Sequence, residues 1–526
     1  MKPKKKESGK AKELEEKQLG EYESKLISSS LQGNMDWLKQ EMGESDDLIF
    51  RELELEGGEQ TLRVTVIHVQ CVADDEKLDE YVIGALQSRK IRLEEEVKPP
   101  LSVIKSMLVT TGLLEEYNNW KEAFAGLFIG RALILVEGVN VALGASVPGG
   151  AKRGVEEPKT QLVIRGPREG FTESIRTNTS LIRRKIRSPK LWLEQLTVGE
   201  ITQTPIGLMY IKGLADDSLL SELKKRLGEI EIDGVLESSY IEELISDQVW
   251  TPFPTLFNSE RPDVIAAGLL EGKVAILVDG TPFVLMVPAV LNVFFQSSED
   301  YYQRFDIATL IRLLRYVSFF ISLMLPSVYV AILGFHQEMI PTQLLLKLAA
   351  QREGVPFPAY LEAFIMEFVF EILREAVIRM PSTVGSTISI VGGLVIGQSV
   401  VEAGIVSPAV VIVVSLTAIT SFVSPSYNLA IAARMLRFLL LAAASTLGFY
   451  GIALVLLFLV LHLSSIRSFG VPYLTPFAPT ILTNLKDTII RVPMWQMKTR
   501  PKPMAEQNPV RGNMDAAKLE GEAPQE

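Results

Sequence analysis

One cysteine, Cys71, and three histidines are all that 526 residues contain of those two types. A single cysteine excludes an internal disulfide and suits a reducing compartment. His68, His336 and His462 stand far apart in sequence, so each reads as packing or surface rather than as a metal ligand. The common catalytic signatures are missing as well: no GxxxxGKS or GxxxxGKT, no HExxH, no CxxC and no GxSxG. Ser102-x-x-Lys105 stands alone without a companion motif. No enzyme, cofactor or metal is expected from these absences. Basic charge is also short. The net charge of −10 argues against nucleic acid as the main partner, because phosphate binding needs a basic surface. The lysine-rich start, Met1 to Lys12, is followed by no apolar h-region and does not read as a secretory signal.

What the chain does have is long apolar runs in its second half. Val317 to Phe335, Ile388 to Ile405, Ala409 to Val423 and Leu436 to Leu463 are nearly free of charge. About 18 such residues cross the hydrocarbon core as a helix. Gln303 to Tyr316, with Arg304, Arg312 and Arg315, reads as a basic amphipathic approach to the bilayer. A Gly393-xxx-Gly397 step suits close helix packing. One further segment, Leu361 to Met380, is periodic yet carries Glu362, Glu367, Glu371, Arg374, Glu375 and Arg379. At about 100° per residue, all of these but Glu362 share one face. Such a helix lines an aqueous path, lies in the interface plane, or holds a buried salt-bridge network. The first alternative makes Glu367, Glu371 and Glu375, with Gln398 and Glu402, a candidate ion path. Basic residues place both the C-terminal segment and the N-terminal half in the cytosol. Both ends inside requires an even number of spans, so one of the five segments is re-entrant or in-plane.

The first half reads as water-soluble α/β. Thr61 to Cys71 is β-rich, and Asp74-Asp75 caps a helical pattern at Leu78, Tyr81, Val82 and Ala85. Leu127 to Val136 and Val139 to Ala145 read as strands around a tight turn at Glu137-Gly138. The same phrases recur 142 residues later: Ala125-Gly126-Leu127 on Ala267-Gly268-Leu269, and Ala73-Asp74-Asp75 on Ala215-Asp216-Asp217. Two copies of one unit are expected, over 61–147 and 203–289. Between them lies a basic stretch with Arg165, Arg168, Arg176, Arg183, Arg184, Lys185 and Arg187. It is either a contact for lipid headgroups, an acidic partner or a neighbouring subunit, or a solvated face with internal salt bridges.

The fold class expected is a cytosolic α/β domain of two similar units followed by an α-helical polytopic membrane domain. In order, the parts are a charged flexible arm (1–44), a first α/β subdomain (45–155), a basic connecting segment (156–200) and a second α/β subdomain (201–300). A membrane domain of four or five helices (301–466), a cytosolic C-terminal segment (467–497) and a disordered tail (498–526) follow.

Four stretches point further: RGPREGFTESIRTNTSLIRRKIRSP (Arg165–Pro189), RPDVIAAGLLEGKVAILVDGTPFVLMVP (Arg261–Pro288), SPSYNLAIAARMLRF (Ser424–Phe438) and FGVPYLTPFAP (Phe469–Pro479). Together they resemble the GerA-type spore germination protein family, over about Glu44 to Trp495. The resemblance implies the A subunit of a nutrient germinant receptor or a sporulation-stage paralogue, in the inner membrane of the endospore. It also implies a transporter-like B subunit and a lipoprotein C subunit as partners, and a homo-oligomer that conducts cations. The function expected is therefore a membrane subunit that gates cation release at germination. The alternatives are a secondary transporter or a non-conducting scaffold that docks partners. The family motif defines no ligand residues.

Overall fold

The structure, a computed structural model, describes residues 22–57, 60–70, 72–88, 100–108, 113–149, 156–379, 397–502, 504 and 508–511. Cys71 and the Gly393 end of the small-residue step lie outside them. The chain divides into two units. One comprises Met1–Ser246, Leu256–Pro288 and Val492–Glu526; the other comprises Asp247–Thr255 and Ala289–Arg491.

The first unit contains two five-stranded antiparallel sheets. Strands β1 (Leu48–Gly57), β2 (Gln60–Val69), β3 (Leu114–Tyr117), β4 (Arg131–Val136) and β5 (Ala142–Ser146) lie in the order β1-β2-β4-β5-β3. Because strand side chains alternate between faces, Ile67, Val69, Leu133 and Leu135 enter one core and Val64, Val66, Ile134 and Val136 the other. The first core is covered by α1 (Leu31–Met42) and α2 (Trp120–Leu127). A helical stretch over 75–88 and the helix Pro100–Met107 cover the second. With both faces covered, β4 is apolar along nearly its whole length rather than alternating.

The second sheet repeats that order. Strands β6 (Leu191–Val198), β7 (Thr204–Ile211), β8 (Phe257–Ser259), β9 (Val274–Val278) and β10 (Val284–Val287) run β6-β7-β9-β10-β8. Its register repeats too. Val64 faces Val136 and Ile67 faces Leu133; 142 residues on, Ile206 faces Val278 and Met209 faces Ala275. Asp74 and Asp216 both cap helices, accepting from the backbone N–H of Lys77 and Ser218. The turns after β4 and β9 both place glycine in the left-handed region, Gly138 at φ 82° and Gly280 at φ 92°, where a Cβ would be strained.

The structural match begins earlier than 61 and 203. Ser30 caps α1, and Ser174 caps α3 (Ile175–Lys185). Asn34 spans the entry to α1, donating to Ser28 O and accepting from Ser28 N. Asn178 does the same with Thr172 ahead of α3. This corrects two expectations. Leu31–Met42 is no mobile arm: Leu31, Met35, Leu38 and Met42 are buried in the first core. Residues 156–200 are no mere connector, since they supply α3 and β6 to the second sheet's layers.

The other unit is helical. It holds α4 (Phe305–Phe335), α5 (Ala359–Arg379), α6 (Pro408–Ser421), α7 (Tyr427–Leu447) and α8 (Phe449–Ser465). Among the described residues two helices, α4 and α7, are long and apolar enough to cross a membrane; α6 and α8 are shorter apolar helices. Leu323, Ala331, Ala433, Leu440 and Ala444 pack α4 against α7. The expected single run Leu436 to Leu463 is broken at Gly448, φ 60°, into α7 and α8. The expected span Val317–Phe335 is the latter part of the 31-residue α4. Of Ile388 to Ile405, residues 388–396 lie outside the described set. Residues 467–491, expected as a separate segment, pack in this unit, where Leu291 N donates to Tyr473 O. Arg312 and Arg315 do not face lipid. Both are buried on Asp300, at 2.8 Å each, and Arg312 also reaches Asp487 at 2.7 Å.

Candidate functional site

The charged helix α5 is where polar chemistry enters the helical unit. Its apolar residues recur at helical spacing, and its acids fall four or five positions apart, at 362, 367, 371 and 375. The structure gives each acid an arginine. Glu362 is fully buried, lies 3.2 Å from Arg352 and accepts the backbone N–H of Ser407 at 2.9 Å. A carboxylate there meets the positive end of the α6 dipole. Glu367, also fully buried, lies 2.7 Å from Arg437 of α7, whose Nε donates to the Ser322 carbonyl of α4 at 2.7 Å. That one contact joins three helices. Glu371 sits between Arg374 at 3.3 Å and Arg434 at 3.2 Å. Arg374 also donates to Ser421 Oγ at 2.9 Å and lies over the rings of Phe370 and Phe422.

Only the end of this series faces outward. Glu375 and Arg379 pair at 2.6 Å with both side chains largely exposed. Gln398 donates to Glu402 at 2.7 Å on a neighbouring helical stretch, again exposed. The five candidate ion-path residues therefore split. Glu367 and Glu371 belong to an interhelical ion-pair seam, as the salt-bridge alternative for this helix has it, whereas Glu375, Gln398 and Glu402 are accessible. Glu362 points away from that face but strengthens the same seam. Nothing in the sequence marked that Arg437 would meet Glu367 or Arg434 meet Glu371, because those partners lie 70 and 63 residues away.

In the other unit, the basic stretch is also divided. Arg183 is buried and grips Asp47 through two 2.7 Å hydrogen bonds, with Ser45 Oγ at 3.1 Å. Ser45 Oγ in turn accepts from Leu193 N, so this cluster pins β6 to the loop before β1. Arg183 is thus no candidate for lipid or a partner. Arg165, Arg176, Arg184 and Arg187 are exposed; Arg168 pairs with Glu157 at 3.1 Å. Arg187 also lines a cavity of about 820 Å³ with Lys121, Tyr117, Phe124, Arg131 and Lys190. There the Arg131 guanidinium holds the Glu115 carboxyl below its ordinary value, while burial pushes the Tyr117 phenol up. Sequence reasoning missed this cavity, since its walls come from separate elements. Among the described residues no group of three or more His, Cys, Asp or Glu is placed to hold a metal.

Comparison with known proteins adds the following. The model of the family described as Bacillus/Clostridium GerA spore germination protein matches residues 36–503. Spore germination protein KA of Bacillus subtilis (strain 168) is 50% identical over 491 residues, covering 93% of this chain and 89% of that protein. The uncharacterized membrane protein YfkQ of the same strain is 42% identical over 485 residues, covering 92% and 93%. Spore germination protein GerLA of Bacillus cereus is 40% identical over 479 residues, covering 90% and 96%. Among solved structures, the N-terminal domain of the A subunit of the Bacillus megaterium spore germinant receptor GerK3 is 36% identical. It covers 51% of this chain and 97% of that one, with a TM-score of 0.41.

Proposed function

This chain belongs to the GerA spore germination protein family, and on that premise we propose that it is the A-type membrane subunit of a nutrient germinant receptor. It oligomerises and conducts or gates the cations whose release starts germination. The match over residues 36–503 carries the receptor assignment; conduction is a further reading of the helical unit. In that reading the helical unit is a multi-pass domain of the spore inner membrane, with the sheet-bearing unit cytosolic. α4 and α7 span, and the shorter apolar helices α6 and α8 complete the bundle. The sheet-bearing unit is a duplication, a reading supported by the strand order and register repeated at one offset. A transporter-like B subunit and a lipoprotein C subunit are its partners. The exposed arginines of 165–187 offer them an electrostatic contact.

A cation path needs acids that water and ions can reach. Glu375 and Glu402 are the exposed acids of the candidate set. They line the path where neighbouring protomers meet, while Glu362, Glu367 and Glu371 hold the helices that carry it. The test is single-channel recording from the purified full chain in planar bilayers, alone and with its partner subunits. Unitary currents that fall in the Glu375→Gln and Glu402→Gln variants, at equal protein level, support conduction. The pairing of each α5 glutamate with an arginine favours one rival, a non-conducting scaffold. Silent bilayers under all these conditions would remove conduction.

A further inference from the structure

Asp247–Thr255 (DQVWTPFPT) belongs to the helical unit though it precedes it in sequence. Without helix or strand of its own, it is fastened to the end of α8. Thr251 Oγ1 and His462 Nε2 lie 2.9 Å apart. Phe253 is buried with its ring 6.4 Å from those of His462 and Tyr473. Ser468 Oγ donates to the Thr255 carbonyl at 2.7 Å, and Phe469 N donates to the Asp247 carboxylate. Held at both ends, the segment nevertheless turns Trp250 outward, 96% exposed, with Val249 beside it at 61%.

The place where it is fastened says what covers it. Along α8 the exposed residues Leu457, Phe458, Val460 and Leu461 are all apolar. At His462 the composition changes to Ser464, Ser465 and Arg467. A helix of this length rises about 25 Å, close to the thickness of the hydrocarbon core, so the change of polarity marks the bilayer boundary. Tryptophan concentrates at that level, its ring apolar and its N–H wet.

We propose that Asp247–Thr255 is an interfacial anchor that seats Trp250 among the lipid headgroups at the His462 end of α8. This rests on the reading of the helical unit as a membrane domain. The single cysteine makes a test direct. In full-length chain carrying Cys71→Ser, a fluorophore is attached through Trp250→Cys, Leu457→Cys or Ile201→Cys. Each is reconstituted in phosphatidylethanolamine and phosphatidylglycerol vesicles with nitroxide lipids, the quencher at the headgroup or at the chain end. The expected result is greater loss of emission at 250 from headgroup quenchers, greater loss at 457 from chain-end quenchers, and no loss at 201 from either. Loss at 457 with none at 250 overturns the anchor and leaves the membrane reading standing. Loss at neither overturns both. Disulfide cross-linking between copies through Trp250→Cys, without quenching, gives the surface to a second copy of the chain and also overturns the anchor.

Discussion

Arg183 and Asp47 show how much a single buried pair can decide. Both side chains are almost fully enclosed, so removing one leaves an uncompensated charge, which costs about 3–5 kcal/mol. Asp47→Ala should lower the thermal midpoint of the full chain strongly, while Arg184→Ala, at an exposed position, should leave it nearly unchanged. Differential scanning calorimetry in detergent distinguishes the two. Glu242 offers a titration at the same scale. Burial, aided by Glu237 and opposed by the Asn258 amide, raises its carboxyl from 4.5 to about 7. The native state therefore holds a proton that the unfolded chain has released between those values. Its contribution is complete below pH 4.5, declines as pH rises, and is gone above about 7. Glu242→Gln should flatten the slope of stability against pH in that window, read as urea midpoints of the full chain. The candidate ion-path residues, four glutamates and Gln398, were visible in the sequence, but the α7 partners of Glu367 and Glu371 were not. A carboxylate on a helix advertises its face, not the arginine on another helix that will answer it.

At the scale of elements, the strands were the most legible part. β4 and β9 are short, continuous apolar runs closed by Glu-Gly and Asp-Gly turns, and that chemistry is local. β1 escaped because its outward positions are glutamates and its pairing with β2 supplies what composition does not. α1 escaped for a related reason. Its buried residues follow helical spacing, but Asp36, Lys39, Gln40 and Glu41 between them give the stretch the look of a solvated tail. The break between α7 and α8 was hidden inside an unbroken apolar run, because only the conformation of Gly448 reveals it. Gly448→Ala would place a Cβ 2.9 Å from Phe335 Cβ and from His336 Cε1, at a φ of +60° that side chains rarely adopt. With ψ at −137° this is a region populated almost solely by glycine, and the backbone strain alone is about 1–3 kcal/mol. This variant should melt several degrees lower, whereas Gly334→Ala, which meets nothing within 4 Å, should not; circular dichroism at helical wavelengths reads both.

At the scale of the whole molecule, composition separated a charged half from an apolar one, and two units are found. Their boundaries were not legible, since Asp247–Thr255 and 467–491 join the helical unit through contacts distant in sequence. Function at this scale turns on charge. If Glu367 serves to hold helices and Glu375 to meet ions, Glu367→Gln should reduce the amount of folded protein. Glu375→Gln should spare that amount and lower unitary current. Measuring both quantities on the same preparations tests the division of labour.

The contact of Glu367 with Arg437, which also donates to the Ser322 carbonyl, has a mechanical meaning. A one-turn slip of α5 along its axis, about 5.4 Å, would strip the paired groups of their partners in a dry interior, where no substitute waits. Greasy surfaces resist such sliding weakly; matched charges resist it in discrete notches. The bundle is therefore keyed at α5, which these pairs hold against axial creep.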